Sequence, residues 1–216
     1  MYCLPGKPSA EFVCAMEDVL DVYHMPYDAK RPIVCLDETC KQLVGETRQP
    51  LSMAPGCPAR FHHEYVRNGV ANLFMMLEPL TGRCHVRVSQ QRTMRDWALT
   101  IKELVDIHYP EAETITLVMD NLSTHKPKHD RWLTRHPLVR FHYTPTHASW
   151  LNQIECWFSI LTRQALRGLR GTSPRDVRRA IDDFTKAGNE RAQPFEWTKR
   201  IVHPGHLEEK YAELCN

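Results

Sequence analysis

Two short runs constrain this chain more than any other feature. PIVCLDE (32–38) and ETITLVMDN (113–121) are close to continuously apolar, rich in β-branched residues, and each delivers a carboxylate at its C-terminal end. Runs of that length and composition, bounded by proline or polar residues, read as buried strands. An acid at the end of a buried strand loses hydration, and two acids side by side repel each other as well. The pattern therefore calls for something that compensates both costs.

Around these runs the hydrophobic period changes repeatedly. ANLFMMLEP (71–79) and TGRCHVRVSQ (81–90) suggest a β-hairpin, with YVRNG (65–69) as the turn that leads into it and residues 48–60, which hold three prolines, as a loop. From Thr93, a plausible N-cap, apolar residues recur at spacings of three and four: Met94, Trp97, Ala98, Ile101, Leu104, Val105 and His108. That spacing predicts one amphipathic helix. After ETITLVMDN come a short polar helix around 127–135 and a strand, LVRFHYTP (138–145). A helix from Ser149 to about Leu169 follows, with Leu151, Ile154, Phe158, Leu161 and Ala165 on one face, and then a helix over 174–189 opened by Thr-Ser-Pro. This order predicts an α/β architecture with a mixed central sheet flanked by helices. The first and fourth strands are expected to lie parallel and adjacent, which brings Asp37 and Asp120 together.

The 216 residues suffice for one substantial core. Residues 1–30, with three prolines and a short helical pattern, read as an arm or linker, 31–190 as the main domain, and 191–216 as a C-terminal helical tail. No uninterrupted apolar stretch reaches eighteen residues and the N-terminus lacks a signal pattern, so a cytoplasmic protein with no membrane contact is expected. The eight cysteines include no CxxC pair, and those inside VCLDE and IECWF read as small buried hydrophobes. The net charge is only +2, but it is unevenly distributed: residues 121–179 carry eleven Lys or Arg against three acids, a local balance of +8. A solvated basic face accounts for such an asymmetry, and so does a polyanion held beside that half of the chain, which begins next to Asp120 and also carries Glu155.

Glu155 is the only acid between residues 131 and 175, and it sits beside the apolar stripe of its helix. Three carboxylates brought together suit a hard divalent cation such as Mg²⁺ or Mn²⁺, and a pair of such ions supports in-line phosphoryl displacement, the chemistry of nucleases and polymerases. Flanking residues suit a phosphate backbone. Asn121, Thr124, His125 and Lys126 follow Asp120, while His147, Ser149, Trp150 and Asn152 stand at the entry to the Glu155 helix, whose free amides favour an anion. For Asn121 and Thr124, turn formation and capping compete with a role in the site. Trp150 is equally readable as core packing. Arg163, Arg167 and Arg170 recur at spacings of three and four, as a stripe that tracks DNA or as a solvated face.

The strand VCLDE, the blocks VMDNLSTH and HYTPTHASWLNQIECWFSILTRQAL, the later PFEWT, and the thirty-four residues between Asp120 and Glu155 resemble transposases of the insertion sequence 630 family, in the Tc/mariner superfamily. The resemblance covers about residues 31–199. It implies an RNase H-like fold, a catalytic triad of Asp37, Asp120 and Glu155, and two Mg²⁺ ions replaceable by Mn²⁺. It further implies DNA transposition: hydrolysis at transposon ends, then attack of the freed 3′ hydroxyl on target DNA, usually at TA, without a covalent enzyme intermediate. Members of that family carry N-terminal helix-turn-helix domains, which about thirty residues before VCLDE do not accommodate. The expected partners are DNA, with a second copy of the chain and a separately encoded helix-turn-helix part as candidates. The competing expectation is a catalytically silent remnant that binds DNA or regulates a full-length transposase.

Overall fold

In a computed structural model of the chain, the described residues are 9–47, 53–58, 64–122, 138–167 and 173–194. The first apolar run opens β1 (Ile33–Glu46), which pairs antiparallel with β2 (Tyr65–Glu78). β2 in turn pairs with β3 (Arg83–Ser89). The second apolar run forms β4 (Ile115–Met119), parallel to β1, and β5 (Val139–Tyr143) lies parallel to β4. The resulting order, β3-β2-β1-β4-β5, is the expected mixed sheet with the first and fourth strands adjacent.

β1 and β2 are longer than the sequence suggests. β1 runs through the polar TCKQ to Glu46, and YVRNG continues β2 instead of turning the chain. Alternation explains this. Within Thr39–Glu46 and Tyr65–Val70 the two strands satisfy each other's backbone groups, so pairing continues with few apolar anchors: Leu43 is buried, while Tyr65, Val66 and Val70 are exposed.

Two apolar layers cover the sheet. On one face, Ile33, Cys35, Leu73, Met75 and Val118 pack beneath α1 (Ala10–His24), α3 (Ile154–Leu161) and α4 (Pro174–Asn189). On the other, Val34, Leu36, Phe74, Met76 and Leu117 pack beneath Trp97, Ile101, Leu104 and Val105 of α2 (Met94–Glu103) and the turn after it. The helical pattern in the N-terminal stretch is α1. Ser9 caps it, and it sinks Met16, Val19 and Val22 into the first layer, so the packed unit takes in residues well before β1. Thr93 caps α2 as expected, and Ser173 of the expected Thr-Ser-Pro signal caps α4; the structure adds Asp96 and Asp176 as their partners, each in a reciprocal capping box. Asn189, near the end of α4, accepts from the Cys84 N–H at 2.9 Å and donates to the Cys84 carbonyl at 2.8 Å, covering the edge of β3.

Two helices expected to be continuous are not. α2 passes into a π turn at Leu104–His108, closed by Tyr109 N–H donating to the Leu104 carbonyl at 3.0 Å. The wider turn carries His108 onto His85 of β3, their rings stacked with centroids 3.7 Å apart. The Ser149 segment is a 3₁₀ turn (Ser149–Leu151), then α3, then a π turn (Thr162–Leu166). Its core face is Leu151, Ile154, Trp157, Leu161 and Leu166, with Phe158 and Ala165 only partly buried. The helix expected around 127–135 lies outside the described residues, as does the tail beyond residue 194. Cys35 is buried as expected of a small hydrophobe, and Cys84 is buried too, but Cys156, expected to be buried, is exposed because it falls between Ile154 and Trp157 on the outer side of α3. None of the described helices is long and apolar enough to cross a membrane.

Burial pushes the His85 imidazole down to about 4, with the His108 and Arg83 charges adding to the effect. Burial lowers His108 as well, against the opposing Glu103 carboxylate. A histidine whose folded pKa is depressed contributes stability that is present above the ordinary value near 6.5 and is lost as pH falls toward 4. The thermal midpoint of His85→Phe is therefore expected to fall less than that of the parent between pH 6.5 and 4, measured by circular dichroism. Parallel curves would remove His85 as the source.

Candidate metal centre

The parallel pairing of β1 with β4 sets the site. Ile33 stands opposite Thr116 and Cys35 opposite Val118. Carrying that register two residues further sets Asp37 opposite Asp120. Side chains alternate across a strand, so both carboxylates fall on the face of Cys35 and Val118, the face covered by α3. β1 then continues past its parallel neighbour, with Asp37 still paired to Met75 of β2 while pairing to β4 has stopped at Cys35. Asp37 is thus held rigidly on one side and open on the other, in the crevice beyond the carboxyl end of β4.

Carboxylate oxygens of Asp37, Glu38 and Asp120 all lie within 4.8 Å of one another. Burial raises the Asp37 carboxyl to about 7; the Glu38 N–H, 2.7 Å from Asp37 Oδ1, pulls the other way, and the charges of Asp120, Glu38 and Glu155 push it further up. Glu155, in the first turn of α3, is close enough for its charge to act on Asp37, although it is not among the carboxylates gathered within 4.8 Å of one another. Glu38 was legible beside Asp37, but strand alternation assigns it to the opposite face of the sheet. The signal that would have found it is the end of β4, beyond which no neighbouring strand separates the two faces. Hard oxygen donors at this spacing, with one proton affinity raised by burial first and by neighbouring charge second, fit a divalent cation, whose charge offsets both costs.

The segment that carries Glu155 is fastened at both ends to β1. Asn152 is fully buried; its amide donates to the Leu36 carbonyl at 3.1 Å, and its own carbonyl accepts the Glu155 N–H at 3.1 Å. This interrupts the helix at Asn152, whose backbone is extended (φ −78°, ψ 111°). At the far end, Lys41 of β1 donates to the Leu166 carbonyl at 2.9 Å, satisfying an orphan acceptor of the last turn. Asn152, expected to contact nucleic acid, therefore offers it no surface; it ties α3 to the strand that carries Asp37.

The other expected contact residues fall into three groups. Asn121 is exposed next to Asp120, His147 and Ser149 are exposed in the loop before α3, and Arg163 and Arg167 are exposed in and just beyond the π turn. His147 has a left-handed backbone (φ 64°). Trp150 is half-buried and packs against the first core layer, in favour of its packing role. Thr124, His125, Lys126 and Arg170 lie outside the described residues.

A five-stranded sheet in this order, with acids gathered at the end of its first and fourth strands, is the RNase H-like fold of transposase and integrase catalytic domains. The chain superposes on the structure of the Mos1 Strand Transfer Complex with a TM-score of 0.60 at 15% identity, over 87% of this chain and 58% of that one. For the Mos1 transposase catalytic domain, solved with Raltegravir and Mg, the TM-score is 0.56 at 13% identity, over 86% and 85% of the two chains. The simian T-cell lymphotropic virus intasome in complex with PP2A regulatory subunit B56 gamma gives 0.50 at 9% identity, over 83% and 63%. No curated protein sequence matches. Residues 32–176 match the family described as DDE superfamily endonuclease, and the chain belongs to that family. It spans a little over half of the Mos1 transposase chain in the strand transfer complex.

Removing the Asn152 side chain leaves the buried Leu36 carbonyl without this donor. Asn152→Ala is expected to cost about 1–3 kcal/mol in urea unfolding, whereas an exposed contact residue costs within about 0.5 kcal/mol. A loss inside the smaller range would contradict the fastening role.

Proposed function

We propose that this chain is the catalytic part of a DNA transposase of the insertion sequence 630 branch of the Tc/mariner superfamily, cutting DNA strands and joining them to a target. The observation that carries the reading is the gathering of the Asp37, Glu38 and Asp120 carboxylates where β1 outruns β4, with the charge of Glu155 also felt at Asp37, inside a DDE endonuclease domain. The domain is taken as residues 31–190, braced by α1. Asp37, Asp120 and Glu155 are the ligands for two Mg²⁺ ions, which Mn²⁺ can replace, and Glu38 adds negative charge beside them. Such ions, when bound, activate the attacking oxygen and stabilise the leaving oxygen of an in-line phosphoryl displacement.

The chain's own residues hold and aim the substrate. Asp37 and Asp120 are fixed by the sheet and Glu155 by its fastened helix, so the three carboxylates converge without reorganising. His147, Ser149 and Asn121 stand exposed around them, with Arg163 and Arg167 further along, in position to meet phosphates. His125 and Lys126 are assigned to the same DNA surface from sequence. Transposon ends and a TA target are the substrates of this reading, supported by the solved Mos1 complexes, one of which is described as a paired-end complex with the left transposon end. Solution in the cytoplasm, self-association as a homodimer and a separately encoded helix-turn-helix part for end recognition complete the proposal.

Supercoiled plasmid incubated with the chain and Mn²⁺ is expected to be nicked, and Asp120→Ala to abolish the nicking, seen by gel electrophoresis. Absence of nicking with Mg²⁺ and Mn²⁺ alike would leave the chain as a silent, DNA-binding remnant. Arg163→Ala is expected to weaken DNA binding and to lower the slope of log affinity against log salt by about one unit, measured by fluorescence anisotropy. An unchanged slope would return Arg163 to a solvated face.

A further inference from the structure

Every part of the site described so far belongs to the sheet or to the Glu155 segment, yet a third element reaches the joint between them. Tyr23, in the last turn of α1, lies 128 residues before Leu151 and donates its hydroxyl to the Leu151 carbonyl at 2.9 Å. The same oxygen accepts the Gln153 N–H at 3.3 Å and lies 3.4 Å from Cys35 Sγ. Leu151 and Gln153 flank Asn152, the point at which the helix is interrupted before Glu155. Cys35 is two residues before Asp37, on the same face of β1. One phenol thus touches both halves of the carboxylate site, the strand that carries Asp37 and the turn that launches Glu155.

We propose that Tyr23 is a positioning residue for the carboxylate site, acting through the 151–153 turn to set the distance and direction of Glu155 relative to Asp37. The proposal rests on the reading of Asp37, Asp120 and Glu155 as metal ligands. α1 is a firm support for this task. Met16, Val19 and Val22 are buried in the first layer, and Asp18 on the same helix meets His142 Nδ1 of β5 at 2.7 Å. Burial holds the phenol well above its ordinary pKa of 10, so the hydroxyl stays a donor over the working range. Asn152 fixes the same turn from below through Leu36, and Tyr23 fixes it from the side through Leu151 and Gln153. Two independent attachments remove the hinge that a chain break such as Asn152 would otherwise provide.

A group that orients ligands from outside the coordination sphere costs roughly 10–100-fold in metal affinity when removed directly behind the ligand. Tyr23 acts one step further out, so Tyr23→Phe is expected to weaken Mn²⁺ binding roughly three- to tenfold. The experiment is titration of the whole chain with Mn²⁺ alone by calorimetry, on the parent, Tyr23→Phe, Val19→Ala, Glu155→Gln and the double variant Tyr23→Phe/Glu155→Gln. Val19→Ala removes two methyl groups from the same helix but keeps the Tyr23 hydroxyl, and is expected to lower the thermal midpoint while changing Mn²⁺ affinity clearly less than Tyr23→Phe does. In the Glu155→Gln background the Tyr23 substitution is expected to add nothing, because the group it positions is no longer a charged ligand. Parent-like affinity in a folded Tyr23→Phe, an equal loss in Val19→Ala, or a full Tyr23 effect without Glu155 would each overturn the positioning role. Failure of the parent itself to bind Mn²⁺, or binding that survives Asp37→Asn and Asp120→Asn, would instead overturn the metal-site reading, and this inference with it.

Discussion

The short parallel pairing of β1 with β4 is the constraint on which the rest of the structure depends. It runs through three residue pairs, Ile33 to Cys35 against Thr116 to Val118, and then stops. Parallel strands need cover on both faces, and these two have it: Cys35 and Val118 beneath α1 and α3, Val34 and Leu117 beneath α2. That double cover pins the register, because a slip of one residue would turn Asp37 and Asp120 into the α2 layer and Leu36 out of it. The register alone puts two carboxylates on adjacent strands; the end of β4 gives them an opening. The acids are therefore placed by hydrophobic burial elsewhere in the same strands.

The third carboxylate is positioned by different means. Glu155 arrives after a long excursion of the chain, and its helix begins at an interruption instead of a conventional side-chain cap. What takes the place of a cap is a set of hydrogen bonds from other elements: Asn152 to Leu36 in β1, Tyr23 of α1 to Leu151, and at the far end Lys41 of β1 to Leu166. All three reach across more than a hundred residues of sequence. A buried polar group that is satisfied in this way resists displacement strongly, since breaking the bond leaves a donor or acceptor desolvated. The local helix is weakened so that its first turn can be fixed from outside.

This division explains which features were legible in the sequence. The strands, their order and the meeting of Asp37 with Asp120 rest on periodicity and on apolar runs, which are local signals. Thr93 and Ser173 as caps are local too, and stand as expected. The length of β1 and β2, the two π turns and the interruption at Asn152 depend on partners far along the chain. No window of sequence around Asn152 contains Leu36 or Tyr23, so it read as a polar residue free to meet DNA. Glu38 was legible beside Asp37 at the end of the first apolar run, and its carboxylate lies within 4.8 Å of the others although alternation places neighbouring side chains on opposite faces.

The site also shows why a fold this well buried tolerates such a cost. Gathering carboxylates raises Asp37 to about 7 by burial and by the charges of its neighbours, a destabilising arrangement in a chain without bound cations. The surrounding layers offset it with large side chains that are almost fully enclosed, among them Phe74, Leu36, Trp97 and Ile101 on one face and Leu73, Met75 and Leu77 on the other. A softer scaffold would relieve the repulsion by letting the strands or the helix move apart. Here β2 grips Asp37 from one side, while Asn152 and Tyr23 hold the Glu155 turn, so the acids cannot separate cheaply. A divalent cation held between Asp37 and Asp120 would relieve that repulsion, and the rigidity of the scaffold would direct the ligands toward it.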